Sequence, residues 1–361
     1  MLAQVGGHSL SKETVARVAK QVGAELVTQR DRDIQPDALP AEPPALAVVQ
    51  CDGGRIRTRE PNHGPGVHEP SWRETKNACL IRMSSSTFDE DPHPQLPRAF
   101  RDPERVASFA ETTTLTLENT EESCDASSSP DDDWRPRRLV RTCLSSMACS
   151  DTFGQQMIRE ARQRRFPEAE RRAFLGDGLA YNWSIQQKYF DDFVPILDFI
   201  HALSYLYAAA VAIFHSPDDA WACYLRMAHE CWQGKSAAII DSLQAWLRQQ
   251  GFSEDIMPTE DDSRHAVAVA ARYLSNNLDR MDYPAYRRQG LPVTSALMES
   301  LVKEINHRVK GTEMFWNDPD GAEGILQIRA ASLCDDDRLA GYLRQRPGYP
   351  YHRRTSLAAS A

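Results

Sequence analysis

The chain has 361 residues, 41% hydrophobic and 26% charged, enough for a sizeable core and roughly two or three domains. No apolar run approaches the about 18 residues of a membrane span, no basic-then-apolar leader opens the sequence, and the eight cysteines include no CxxC or CxxxxC spacing, so a membrane protein, an exported one, a zinc ribbon and a disulfide scaffold are all disfavoured and a reducing cytoplasm is the simplest setting. The net charge of −9 argues against a nucleic-acid partner only until it is located: residues 84–133 hold 13 acidic residues against three arginines, and the remainder carries one net positive charge.

In chain order, Leu10, Val15, Val18, Ala19 and Val22 recur at helical spacing after the capping candidates Ser9 and Ser11, and Gly23 is expected to end the helix. The pattern suits part of a helix-turn-helix or a plain amphipathic helix. Residues 31–45, rich in Asp, Pro and Ala, read as a linker. The apolar run from Leu46 to Cys51 predicts a buried strand ending in the turn-like Asp52-Gly53-Gly54. Residues 55–59 alternate as a second strand with a wet, basic face, and Trp72 to Met83 predicts a third. Three successive strands suggest an antiparallel meander. Residues 84–133 read as an acidic, flexible insertion with at most a short helix. Residues 172–178 and 193–198 repeat one pattern, a short strand followed by Asp177 or Asp198. From His201 to about Asn277 the spacing is helical almost throughout, and Thr294 caps a last helix with Leu297, Leu301 and Ile305 on one stripe.

The chemistry-bearing candidates are carboxylates. Asp52 and Asp177 each follow apolar strand residues and precede glycine, which leaves a carboxylate at a sheet edge where a ligand can approach. Two such groups converging suit Mg²⁺, a hard cation that prefers oxygen ligands, and a third carboxylate from a helix would complete a two-metal site. The bland alternative is that each Asp is a turn residue. Glu299 sits beside the apolar stripe of its helix, with Glu304, Glu313 and Glu323 as rivals. Asp198 and His201 stand one helical turn apart, as a functional pair or as a capping Asp and a satisfied His. Lys303, Arg308 and Lys310 suit phosphate contacts or an ordinary solvated face.

Several blocks together resemble a known family. Val48-Val-Gln-Cys-Asp52-Gly-Gly-Arg-Ile-Arg-Thr-Arg59, Trp72-Arg-Glu-Thr-Lys76, Phe174-Leu-Gly-Asp-Gly178, Gly290-Leu-Pro-Val-Thr-Ser-Ala-Leu-Met-Glu299, Val309-Lys-Gly-Thr-Glu-Met-Phe-Trp316 and Gly321-Ala-Glu-Gly-Ile-Leu-Gln-Ile-Arg329 are similar, in order, to Kra-type bacterial insertion-sequence transposases, relatives of the Mutator-like superfamily. The resemblance spans roughly residues 46–350, the acidic stretch excepted. It implies an α/β, RNase H-like mixed sheet with an all-helical insertion before the helix of the catalytic Glu. It assigns the metal-binding trio to Asp52, Asp177 and Glu299, and a Cys/Asp-x-x-His motif to Asp198 and His201.

The implied function is DNA transposition: Mg²⁺- or Mn²⁺-dependent cleavage at terminal inverted repeats, then strand transfer into target DNA by a homo-oligomer in the bacterial cytoplasm, at the nucleoid. The alternatives are a catalytically silent or domesticated DNA-binding descendant, or an RNase H-like nuclease without strand transfer. The corresponding division is a partial helical DNA-binding region over 1–30, the linker 31–45, core segments 46–83 and 134–214 around the acidic insertion 84–133, a helical insertion 215–290, and the Glu helix with the C-terminal region over 291–361. Two features depart from the family pattern, a short DNA-end-binding region ahead of the core and the acidic stretch.

Overall fold

The structure is a computed structural model and describes residues 11–32, 42–58, 71–114, 134–252, 258–259, 262–294, 304–305, 316 and 319–346. Its centre is strand β1 (Leu46–Thr58), whose first four residues are consecutive and fully buried, so both faces of the strand are covered. β2 (Ser71–Ser84) pairs antiparallel with β1, and β3 (Arg137–Ser146) antiparallel with β2. On the other side, β4 (Arg171–Gly176) and β5 (Val194–Leu197) add in parallel. The result is an α/β fold with a five-stranded mixed sheet in the order β3-β2-β1-β4-β5, in which β2 alone runs against the rest.

The expected turn at Asp52-Gly53-Gly54 is not there. β1 is one strand of 13 residues, and β2 pairs with it without a break from Leu46↔Met83 to Thr58↔Ser71. Turn-like composition yields to the ladder, because a turn would strand the backbone donors and acceptors that β2 satisfies. Gly53 has a packing reason instead: a Cβ there would come within 3.1 Å of the Tyr181 hydroxyl. A meander exists, but it is β1-β2-β3, with β3 in a segment whose sequence carried no strand expectation.

Helices cover the sheet and extend it. Helix α1 (Lys12–Asp31) is capped by Ser11, whose Oγ accepts from the Thr14 N–H at 3.2 Å. It runs through Gly23 rather than ending there. Between β2 and β3 lies α2 (Pro103–Thr114), and between β3 and β4 lies α3 (Ser150–Gln163). α4 (Ala180–Tyr189) joins β4 to β5, and α5 (Phe199–Ile213) leaves β5 directly. The helical stretch expected from His201 onward is built from α5, α6 (Pro217–Trp232), α7 (Ser236–Gln249) and α8 (His265–Asn277), followed by α9 (Tyr283–Arg288). α10 (Pro319–Ser332) packs on α1 and β3, and α11 (Arg338–Gln345) follows. Asp320-Gly321, turn-like in composition, lies inside the first turn of α10.

The span 84–133 divides. Residues 115–133 lie outside the described residues, but residues 85–108 send several side chains into the core, where a loose insertion was expected. Leu96, Phe100 and Val106 join the main core. The Arg287 guanidinium, fully buried, stacks 4.0 Å over the Trp232 ring and donates from Nε to Asp91 at 2.8 Å. Burial would raise the Asp91 pKa, but hydrogen bonds from Arg287 and from the His93 backbone N–H hold it below the ordinary carboxylate range. Of the apolar residues in this span, Phe100 docks on the aromatic cluster of Phe199, Trp232 and Trp134, with its ring 5.3 Å from that of Phe199. Among the described residues, no helix is long and apolar enough to cross a membrane.

Candidate active site

The parallel β1–β4 ladder ends at Cys51↔Gly176, so Asp52 and Asp177 are the next residues on two adjacent strands, about 4.8 Å apart across the sheet. The Asp52 carboxyl lies close enough to that of Asp177 to bear on its pKa. Asp52 Oδ1 accepts from the Gly53 N–H at 2.7 Å. Asp177 Oδ1 accepts from the Leu179 N–H at 3.0 Å and from Asn182 Nδ2 at 2.7 Å. The first of these is the two-residue reach of an Asx-turn, and it leads the chain from β4 into α4. Burial pushes the Asp177 carboxyl above its ordinary range, opposed by the His201 charge, by the bonds from Leu179 and Asn182, and by Asp52. Two carboxyls this close disfavour double ionisation, so the pair gains from a proton or a cation between them.

Asp198 and His201 come to the same edge of the sheet. The Asp198 N–H donates to the Gly176 carbonyl at 2.9 Å, extending the β4–β5 register by one residue. Its fully buried side chain caps α5, with Oδ1 accepting from the Ile200 N–H at 3.2 Å. The other oxygen, Oδ2, lies 3.7 Å from His201 Nε2. The capping role and the Asp–His pairing therefore coexist, one on each carboxylate oxygen. His201 is near enough for its charge to lower the Asp177 pKa.

Glu299 and Glu313 lie outside the described residues, as do Lys303, Arg308 and Lys310. The described chain ahead of Glu299 passes beside the site: the Phe199 N–H, next to Asp198, donates to the Val293 carbonyl at 3.0 Å. Two rivals have other positions. Glu323, on α10, accepts from Ser146 Oγ at 2.7 Å and the Met147 N–H at 2.8 Å, and pairs with Arg30 at 2.5 Å. Glu304 is 43% exposed and lies 3.9 Å from Arg141. Among the described residues, no group of three or more His, Cys, Asp or Glu side chains is placed to hold a metal ion.

Apart from Lys76, which falls in the Trp72–Lys76 block, the sequence pointed to none of the neighbours that build this edge. Tyr273, on α8, donates its hydroxyl to the Asp177 carbonyl at 2.6 Å and stacks on Tyr205 of α5 with ring centroids 3.7 Å apart. Asn182 is fully buried between Asp177 and the Cys51 carbonyl. Lys76, opposite Gly53 on β2, binds Glu74 at 2.8 Å and sits 5.3 Å above the Tyr181 ring. Burial raises the Tyr181 hydroxyl pKa, and the Cys51, Asp177, Asp52 and Glu74 charges add to it. A compact apolar strand followed by Asp and Gly is a local signal; a tyrosine 96 residues beyond Asp177 is not.

Set against known proteins, the chain matches no family model and no curated protein.

Proposed function

We propose that this chain is a DNA transposase: a metal-dependent enzyme on an RNase H-like core that cuts DNA at the ends of a mobile element and joins them to target DNA. One observation carries the reading, the approach of Asp52 and Asp177 at the end of the β1–β4 ladder. The strand order, with only β2 reversed, agrees with an RNase H-like sheet. So do the helices that separate Asp198 from residues 291–294.

The donor set fits a divalent cation. Two neighbouring carboxyls, one raised by burial, offer hard oxygen ligands whose mutual repulsion a cation would relieve. Asp52 and Asp177 would hold it, with Glu299 as the third ligand that the family resemblance implies. Bound there, a Mg²⁺ or Mn²⁺ pair supplies an activated oxygen nucleophile and stabilises the leaving oxygen. The chain's own contribution is orientation. Asn182 and the Leu179 N–H fix one oxygen of Asp177 and the Gly53 N–H fixes one of Asp52, which sets the direction of the remaining lone pairs. Tyr273 pins the backbone from behind. His201, held beside Asp198, stands where it can hold or pass a proton at the cut strand.

The test uses DNA from the two flanks of the reading frame, where the proposal places terminal inverted repeats. The wild-type chain with Mg²⁺ or Mn²⁺ is expected to release 3′-hydroxyl ends and then joined products. Asp52→Asn or Asp177→Asn removes a charged ligand at nearly constant shape. Each is expected to forfeit about 4 kcal/mol of transition-state stabilisation, about 10³-fold in rate, while DNA binding persists. Cut but never joined DNA would replace the transposase with a nuclease, and binding without cutting in either metal would replace it with a silent DNA-binding protein.

A further inference from the structure

The geometry points to the outer half of the β1–β2 ribbon as the surface that grips an unpaired stretch of the DNA strand beside the cut, with a base stacked on Trp72. This rests on the proposal that the chain cuts DNA. β4 leaves β1 at Cys51, and β3 leaves β2 at Lys76. Beyond those points, residues 53–58 and 71–76 pair with one another, and the Trp316 N–H donates to the Arg57 carbonyl at the outer tip. The ribbon thus starts next to Asp52 and carries its side chains outward from the carboxylate pair.

Its two faces differ. Opposed residues of an antiparallel pair share a face, and successive residues alternate. One face carries Ile56, Thr58 and Thr75, all buried. The other carries Gly53 opposite Lys76, Arg55 opposite Glu74, and Arg57 opposite Trp72. On that face Arg55 and Glu74 are exposed, and Trp72 keeps 37% of its surface in water. The Arg57 guanidinium lies 4.6 Å from the centre of the indole ring. Two arginines therefore line the strip, and its one carboxylate, Glu74, is paired with Lys76, which is itself buried. Arg73 is exposed as well but belongs to the other face, opposite Ile56.

Charge and ring chemistry select the occupant. The cations complement a phosphodiester backbone, and the strip offers one large apolar side chain where a protein interface would present a cluster. An indole beside a guanidinium is a stacking platform for a base, and only an unpaired base offers it a π-face. From Asp52 to Arg57 the strand advances about 17 Å, room for a few nucleotides of extended strand leading away from the scissile phosphate.

The experiment uses the full chain in EDTA, so that no strand is cut. Fluorescence anisotropy follows a labelled oligothymidylate of about 12 nucleotides, within the span such sites cover, and a duplex of the same length, over a range of salt. Trp72→Ala is expected to weaken single-strand binding about tenfold and duplex binding less than about twofold, with Trp72→Phe restoring most of the loss. The Arg55→Gln, Arg57→Gln double variant is expected to reduce the log–log salt slope for the single strand by about 1.4. Unchanged single-strand affinity in a Trp72→Ala protein of native circular dichroism would overturn the proposal, as would equal losses on both DNAs. Failure here is separable from failure of the catalytic reading. If Mg²⁺ elicits no cutting but the Trp72 dependence holds, the ribbon stands as a DNA grip; if cutting needs Asp52 and the ribbon variants bind like wild type, the grip is refuted.

Discussion

Tyr273 shows how a residue far from the carboxylates in sequence supports them. Its hydroxyl donates to the Asp177 carbonyl, and its ring lies against Tyr205 in a largely buried setting. Tyr273→Phe keeps the stack and deletes only the hydroxyl, leaving a carbonyl next to the site without that donor. The expected cost is about 1 to 2 kcal/mol of stability, read as a lower urea midpoint at unchanged m-value, together with a fall in cleavage turnover. An unchanged midpoint and turnover would show that the bond does nothing for the site. The same residue marks the limit of what was legible. Asp177, Asp198 and His201 were readable because strand-then-Asp and Asp-x-x-His are local patterns. Tyr273 and Tyr205 reach the site only because α8 and α5 fold onto it, and nothing in their own surroundings announces this.

At the scale of elements, glycine was the misleading residue, because the sequence does not say whether it serves a turn or a close approach. Asp52-Gly53-Gly54 has turn composition, yet the partner strand decides, and β2 supplies a continuous ladder. Gly23 read as a helix end, but α1 continues, and the missing side chain lets it cross α10. A Cβ at Gly23 would meet the Gly324 backbone at 2.7 Å, whereas one at Gly324 would meet Gly23 at 3.3 Å. Val22, Leu26 and Ala331 pack around this crossing. Gly23→Ala therefore sets two effects against each other. Helix propensity favours Ala by about 1 kcal/mol, while forcing a methyl into a filled contact costs about 1 to 3 kcal/mol. The contact is with backbone, which has no rotamer to yield, so the second effect is expected to win and the variant to melt below wild type. Gly324→Ala is expected to cost less. A Gly23→Ala protein that melts higher than wild type would refute the close crossing.

For the whole molecule, the unevenly placed charge that kept DNA binding plausible also includes ion pairs built into the fold. One network joins α3, β3 and α11. Glu160 is held by Arg164 and by Arg338, the latter at 2.5 Å and 3.1 Å, and Arg164 reaches on to Asp336 at 2.6 Å and Thr142 at 2.5 Å. Burial alone would raise the Glu160 pKa, but the two guanidiniums outweigh it and hold the carboxyl down to about 2, against an ordinary 4.5. A folded pKa below the unfolded one means stability that is complete above about pH 4.5 and lost as pH falls toward 2. The size of the shift corresponds to about 3 kcal/mol. Glu160→Gln abolishes the proton linkage and also leaves two partly buried cations short of a partner, so at pH 7 its cost is expected to approach that figure. Urea unfolding of both proteins at pH 7, 5 and 3.5 separates the two parts. The gap between wild type and Glu160→Gln is expected to hold from pH 7 to 5 and to narrow at 3.5, where wild type pays the cost of keeping Glu160 ionised while the unfolded chain takes up a proton. A gap that stays constant down to pH 3.5 would mean that Glu160 is not held ionised by Arg164 and Arg338, and that α11 is fastened to α3 by packing alone.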